Sequence, residues 1–257
     1  MRSRRSICRP VSKLREPICL LGGWAVYLTV GENFRREHGR DYLGSRDIDL
    51  GFHIKKEWNR GELEASNFAI AIKTLKEIDF EPLSFRLVKH FHAETKQELK
   101  GETARKTPSY EMFDLFLDPV VDYIHPATSE IFGFVPIDEP LLKHVFVGEE
   151  FKIIKFFGRE VLLPLPHVLL ATKIRSVSQR DKEHKRVKDI ADIYALSWYS
   201  DEVQASLRTS LTSMIPPQET KAVIESFTQD DLAAISNALD VEARQIQRVL
   251  NELRSTR

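Results

Sequence analysis

Apolar and polar positions divide this chain into short strand-like and longer helix-like segments. Residues Ile18 to Leu21 form an apolar run that stops at Gly22-Gly23, and Trp24, Val26, Tyr27, Leu28 and Val30 then suit a largely buried helix. That pattern predicts strand, glycine turn and helix, with the helix ending near Gly31 and an exposed charged loop from Glu32 to Asp41. From Arg46 to Phe52 apolar and acidic residues alternate, which predicts a strand carrying Asp47 and Asp49 on one face. Between Gly61 and Phe80, Leu63, Phe68, Ile70, Ile72, Leu75 and Ile78 recur near helical spacing, and a strand is expected around Leu83 to Val88. After a polar, lysine-rich connection, Tyr110 to Leu117 reads YEMFDLFL, the look of a strand buried on both faces. Asp114 is the anomaly within it.

Two further strand-like pieces, Phe151 to Phe157 and Arg159 to Leu163, precede Pro164 and Pro166. Beyond them Val168 to Val177 and Ile190 to Trp198 read as helices. Helical patterning continues from Glu202 to Arg257, broken at Pro216-Pro217 and restarted at Thr228, which opens a capping-box pattern. The expected fold class is therefore α/β (α+β): a mixed sheet flanked by helices over residues 1–165, then a helical C-terminal region over 166–257. No internal repeat or low-complexity tract interrupts this order.

A chain of 257 residues is long enough to bury a substantial core without disulfides. Cys8 and Cys19 match no metal-ligand or redox spacing, so reduced thiols and a cytoplasmic location are expected. The longest uncharged stretch, Pro17 to Gly31, contains the glycine pair and falls short of the ~20 apolar residues of a membrane span, so no membrane partner is expected. Thirty-eight basic residues balance thirty-eight acidic ones, which argues against a protein whose whole surface serves nucleic acid. The basic stretch holding Arg2, Arg4, Arg5, Arg9, Lys13 and Arg15 reads as a solvated tail.

Two aspartates at i and i+2 on a strand point the same way with Cα atoms about 7 Å apart. Hard cations such as magnesium favour carboxylate oxygens held on rigid elements, so Asp47 and Asp49 are candidate ligands for Mg2+ or Mn2+. Asp114 is the expected third ligand, since an acid inside an apolar strand needs a cation or strong donors beside it. Asp118 competes for that role but precedes Pro119, where the strand is expected to end. The Gly22-Gly23 turn ahead of a helix offers backbone amides to phosphates. Ser45 and Arg46 suit either a phosphate contact or a strand-entry turn. His90 and His92 share a strand face but lack a third partner for zinc. Thr228 to Leu253 has a helix-turn-helix outline, for which packing is the simpler reading.

In their order, LLGGWAVYL, SRDIDLGF and a later strand with a lone acid resemble the polymerase-beta-like nucleotidyltransferase superfamily. The resemblance is to its minimal nucleotidyltransferases and AbiEii toxin-like group, and it runs into PLPHVLLATKIRSVSQRDKEHKRVKDIADIYAL, covering Ile18 to Leu196. It implies a fold with a helical region covering one side of a nucleotide cleft. It further implies that Asp47, Asp49 and Asp114 are catalytic metal ligands and that Gly22, Gly23 and Lys173 hold a nucleoside triphosphate. Asp192, with Lys188 and Asp189, would hold the site together. The implied reaction is in-line transfer of a nucleoside monophosphate to RNA, including tRNA, to protein or to a small molecule, as in toxin-antitoxin toxins with an antitoxin partner. A catalytically idle nucleotide sensor and a regulator binding DNA through its last helices remain the alternatives. The chain departs from the pattern in the long separation between Gly23 and Asp47, which an external insertion would accommodate.

Overall fold

The computed structural model describes residues 13–156 and 158–254, so Cys8 and the arginines at 2, 4, 5 and 9 lie outside the described residues. The chain forms two compact units: one comprises Met1–Leu21 and Ser45–Leu163, the other Gly22–Gly44 and Pro164–Arg257.

The first unit is built on a mixed sheet. Its strands are β1 (Ile18–Leu21), β2 (Ile48–Phe52), β3 (Glu81–Leu83), β4 (Arg86–His92), β5 (Glu98–Leu99), β6 (Met112–Val121), β7 (Ile137–Asp138), β8 (Phe151–Phe156) and β9 (Arg159–Pro164). Among the described residues the order is β3-β4-β6-β2-β1-β9-β8, with β5 added to β4 and β7 to β6. β2 runs parallel to β6 and antiparallel to β1, and β4 runs antiparallel to β6.

Alternation decides which face is buried. Ile48, Leu50 and Phe52 of β2 share one face with Leu117 of β6 and Leu87 of β4, and all of them are buried. The segment expected as one helix over 61–80 is two: α2 (Arg60–Glu64), boxed by Asn59 and Glu62, and α3 (Asn67–Glu77), capped by Ser66. Phe68, Ala71, Ile72 and Leu75 of α3 are buried. Phe68 meets Phe52 edge-on at 5.4 Å between ring centroids and Phe132 at 4.9 Å. The residues between the apolar ones, Asp49 among them, therefore face the other side of the sheet. The unit also carries three short helices, α4 (Gly101–Lys106), α5 (Thr128–Phe132) and α6 (Leu142–Phe146).

The second unit is helical, with α1 (Gly22–His38), α7 (Pro166–Val177), α8 (Glu183–Tyr199), α9 (Gln204–Met214), α10 (Pro217–Glu225), α11 (Gln229–Leu239) and α12 (Ala243–Arg254). Helix α1 does not stop at Gly31. It continues to His38 because Phe34 is fully buried, with its ring 5.1 Å from that of Tyr199 and 5.2 Å from that of Tyr42. Asn33 Nδ2 donates to the Tyr199 carbonyl at 2.8 Å, and His38 Nε2 lies 2.7 Å from the Tyr199 hydroxyl. These ties to α8 explain why the division of the chain differs from a single boundary at 165/166: residues 22–44 belong with the helical unit. Thr228 forms the expected capping box with Asp231, and Asp240, at φ 54°, makes the left-handed turn before α12. Among the described residues no helix is long and apolar enough to cross a membrane.

Candidate active site

Strand register sets the geometry of the acids. In the parallel pair β2–β6, Asp49 stands opposite Asp118, and in the antiparallel pair β1–β2, Leu21 stands opposite Asp49. Paired residues on neighbouring strands share a face about 4.8 Å apart. Asp47, just ahead of β2 and two residues before Asp49, joins the same side, because one guanidinium reaches both it and Asp118. Arg86 Nη2 lies 2.5 Å from Asp118 Oδ2 and 3.6 Å from Asp47 Oδ2. Asp118 is 4% exposed, so this ion pair is largely dry.

Asp114, the expected third ligand, is engaged elsewhere. It shares the face of Asp118 but lies four residues earlier, about 13 Å along the strand. There it stands opposite His90, whose Nδ1 is 2.7 Å from Asp114 Oδ1. Pro119 after Asp118 suggests the end of a strand, yet β6 runs on to Val121. The reason is local. On that edge β4 pairs β6 only as far as Leu117 and β7 pairs it only from Val120, so position 119 falls between partners, where a missing N–H costs no ladder hydrogen bond. His92, the other histidine of β4, accepts weakly from the Glu94 and Thr95 amides at 3.3 Å, which ties it to its own turn.

Arg86 is a site residue that the sequence pattern does not mark. It opens β4 beyond the β3–β4 turn, and its guanidinium packs over the rings of Phe116 at 4.4 Å and Phe85 at 5.1 Å. The only signal was a single arginine at the head of an otherwise apolar run, Leu87-Val88, and nothing in spacing linked it to Asp47 or Asp118.

Of the other expected residues of this unit, Ser45 donates its hydroxyl to the Asp47 carbonyl at 3.1 Å, the arrangement of a strand-entry turn, and Arg46 is exposed. Gly22 follows Leu21 directly. Its φ of 58° is one that a side-chain-bearing residue adopts only at a cost, and the buried Gly23 begins the first turn of α1 with it. Cys19 is a buried free thiol whose pKa is pushed up by burial, as expected of an inert core cysteine.

Within the helical unit, Lys173 is buried between two carboxylates, 2.6 Å from Asp189 Oδ1 and 2.8 Å from Asp192 Oδ2. Burial disfavours its charge, but Asp192 and Asp189 more than offset this and hold its pKa above the ordinary lysine value. Asp189 also accepts from Arg180 Nε at 2.5 Å; burial works against its charge, but Lys173 and Arg180 prevail and depress its pKa. Asp192 is fully buried, accepts from the Tyr42 hydroxyl at 2.8 Å and pairs with Lys188. Burial lowers the pKa of Lys188. Lys173 therefore spends its charge inside its own unit, on Asp189 and Asp192. Asp192 sits at the centre of a network tying α1's following loop, α7 and α8 together.

The donor chemistry of Asp47, Asp49 and Asp118 suits a hard, oxygen-seeking cation. As the side chains stand, no group of three histidine, cysteine or acidic residues among those described converges as a ligand set, and Arg86 occupies the place between two of the three acids.

No protein-family model matches the chain, and no curated protein matches it. Among solved structures, an antigenic nucleotidyltransferase-like protein from Paracoccidioides brasiliensis is similar over 93% of this chain and 91% of that one, at 17% identity and a TM-score of 0.42. A likeness that loose carries no function from one chain to the other.

Proposed function

We propose that this chain is a metal-dependent nucleotidyltransferase whose acid row is Asp47, Asp49 and Asp118, with Asp118 in place of Asp114. The observation that supports it most is the register of Asp49 with Asp118 on adjacent parallel strands, with Asp47 drawn to the same side by a shared arginine. Three carboxylates on one side of the sheet would offer oxygen donors of the kind that Mg2+ or Mn2+ favours. A divalent ion held there would supply the positive charge against which a triphosphate reacts. Asp47, Asp49 and Asp118 would orient that charge. The resemblance to minimal nucleotidyltransferases and AbiEii-like toxins suggests RNA, including tRNA, or protein as acceptor, acting in the cytoplasm with an antitoxin as partner.

A second reading, a member that binds nucleotide without transferring it, draws on the pairing of Arg86 with two of the acids. The two readings separate in one experiment. Purified protein is incubated with Mg2+ and each α-labelled nucleoside triphosphate in the presence of total RNA or lysate protein. A transferase releases pyrophosphate and labels an acceptor, and Asp49→Asn abolishes both. Nucleotide-dependent stabilisation without pyrophosphate identifies the sensor, and neither binding nor transfer overturns both readings.

A further inference from the structure

We propose that the outer face of α12 is a separate binding surface that lies in the major groove of duplex DNA. It does not depend on the acid row and belongs wholly to the helical unit. Helix α12 follows α11 after only three residues, Asp240, Val241 and Glu242. Asp240 is left-handed, Val241 is buried, and Ser236 Oγ donates to the Val241 carbonyl at 2.7 Å, so the turn is fixed. Two helices joined by so short a turn form a helix-turn-helix, in which the second helix is the one that enters the groove. The inner side of α12 is committed to packing. Ile246, Val249 and Leu250 are buried, and Gln245 Nε2 donates to the Tyr194 hydroxyl of α8 at 3.1 Å.

The outer side carries Arg244, Gln247, Arg248 and Asn251, all exposed, at i, i+3, i+4 and i+7. Together with Glu252 they border one open recess. From Arg244 to Asn251 the helix rises about 10.5 Å, at about 1.5 Å per residue. The major groove of B-form DNA is about 12 Å wide, and there arginine pairs with guanine while glutamine and asparagine pair with adenine. Arg254 is spent on Glu225 at 3.0 Å and Arg186 on Asp231 at 2.9 Å, but among the described residues no ion pair engages Arg244 or Arg248. Two uncompensated positive charges thus stand on a face otherwise made of amides, which complements a polyanion with readable base edges. The Arg248 guanidinium lies over the Trp198 ring at 5.7 Å, drawn to one side of the row, where it suits a phosphate. Arg244, Gln247 and Asn251 are left for the bases. Asp240 and Glu242 precede α12 and repel phosphates, so the middle of the helix makes the contact. The major groove of A-form RNA is too narrow to admit side chains in this way, which makes DNA the occupant.

The test is fluorescence anisotropy of the full chain with a labelled random-sequence DNA duplex of about two helical turns, ~21 base pairs. Affinity is expected to fall as salt rises. The double variant Arg244→Gln, Arg248→Gln is expected to lose at least about tenfold in affinity, and Arg248→Gln alone to reduce the salt slope by about 1. Lys55→Gln with Lys56→Gln, two exposed charges of the sheet unit, is the control and is expected to stay within twofold of wild type. In selection from the random pool, Gln247→Ala is expected to change which sequences are enriched. Unaltered melting of each variant shows that the fold is intact. No DNA binding at low salt, or equal binding by wild type and the double variant, overturns the proposal. An RNA duplex that competes as well as DNA overturns the groove placement, and unchanged enrichment in Gln247→Ala overturns base reading.

Discussion

Asp118 and Asp114 carry the same side chain on the same face of one strand, and their neighbours separate them. Asp118 meets Asp49 and Arg86, whereas Asp114 meets His90. Asp118→Asn is therefore expected to abolish Mn2+ binding and to destabilise the protein on the order of 3 kcal/mol, because it strips a mostly buried guanidinium of its closest anion. Asp114→Asn, at a half-exposed pair, is expected to leave Mn2+ affinity within twofold and to cost no more than about 1 kcal/mol. Metal titration and chemical denaturation of the two variants check both; equal losses would restore Asp114 as a ligand. The Asp47–Asp49 pair was legible in the sequence because period-two alternation is a local property. Which acid of β6 stands beside Asp49 was not, since it depends on which residue of β6 a separate strand lies beside, and local patterning contains no register between strands. Pro119 follows the same logic: its cost depends on the far edge of β6, where among the described residues neither β4 nor β7 pairs position 119, while β2 pairs it through Leu50.

At the scale of elements, the strands at 18–21 and 48–52 and the helix ending at Val177 were readable from periodicity. Helix α1 was underestimated because Glu32, Arg35, Arg36 and Glu37 surround Phe34, and the one buried position escapes a pattern dominated by charge. The ion network joining α7 and α8 has a pH signature. Asp189 has a depressed pKa in the fold, so its contribution is present above the unfolded carboxylate value, about 3.9, and is lost as pH falls below it through the folded value. Lys173 has a raised pKa, so its contribution is present below about 10.4 and is lost as pH rises beyond that. Thermal melts are expected to fall at both ends. Asp189→Asn should remove much of the acid limb while costing about 3–5 kcal/mol at neutral pH by leaving Lys173 and Arg180 under-paired. An unchanged acid limb in that variant would show that the carboxylate is not the titrating group. Thr228→Ala should cost about 1 kcal/mol through loss of the α11 cap, measurable by urea denaturation.

For the whole molecule, the arrangement into a sheet unit and a helical unit followed from the change of periodicity after Pro164, but the membership of residues 22–44 did not. No sequence pattern states that Phe34 and Tyr42 belong beside Tyr199 and Asp192. A fragment of residues 166–257 is accordingly expected to fold poorly, because it exposes the surface that α1 covers and leaves the fully buried Asp192 without the Tyr42 hydroxyl. Circular dichroism and hydrogen exchange of that fragment, with and without a supplied 22–44 peptide, measure the dependence. A fully protected, cooperatively melting fragment would refute it.

The chain leaves the sheet after Leu21 and re-enters before β2, and these two strands are nevertheless direct antiparallel neighbours, Leu20 against Leu50. The long interval between the glycine pair and the first acid is thus a detour whose two ends are clamped together, and its length has no bearing on where the acids stand. Residues could be added to or trimmed from the Gly39–Gly44 connector at an entropic cost growing only with the logarithm of its size. Distance counted in residues is a poor guide to family likeness wherever such a closed excursion intervenes.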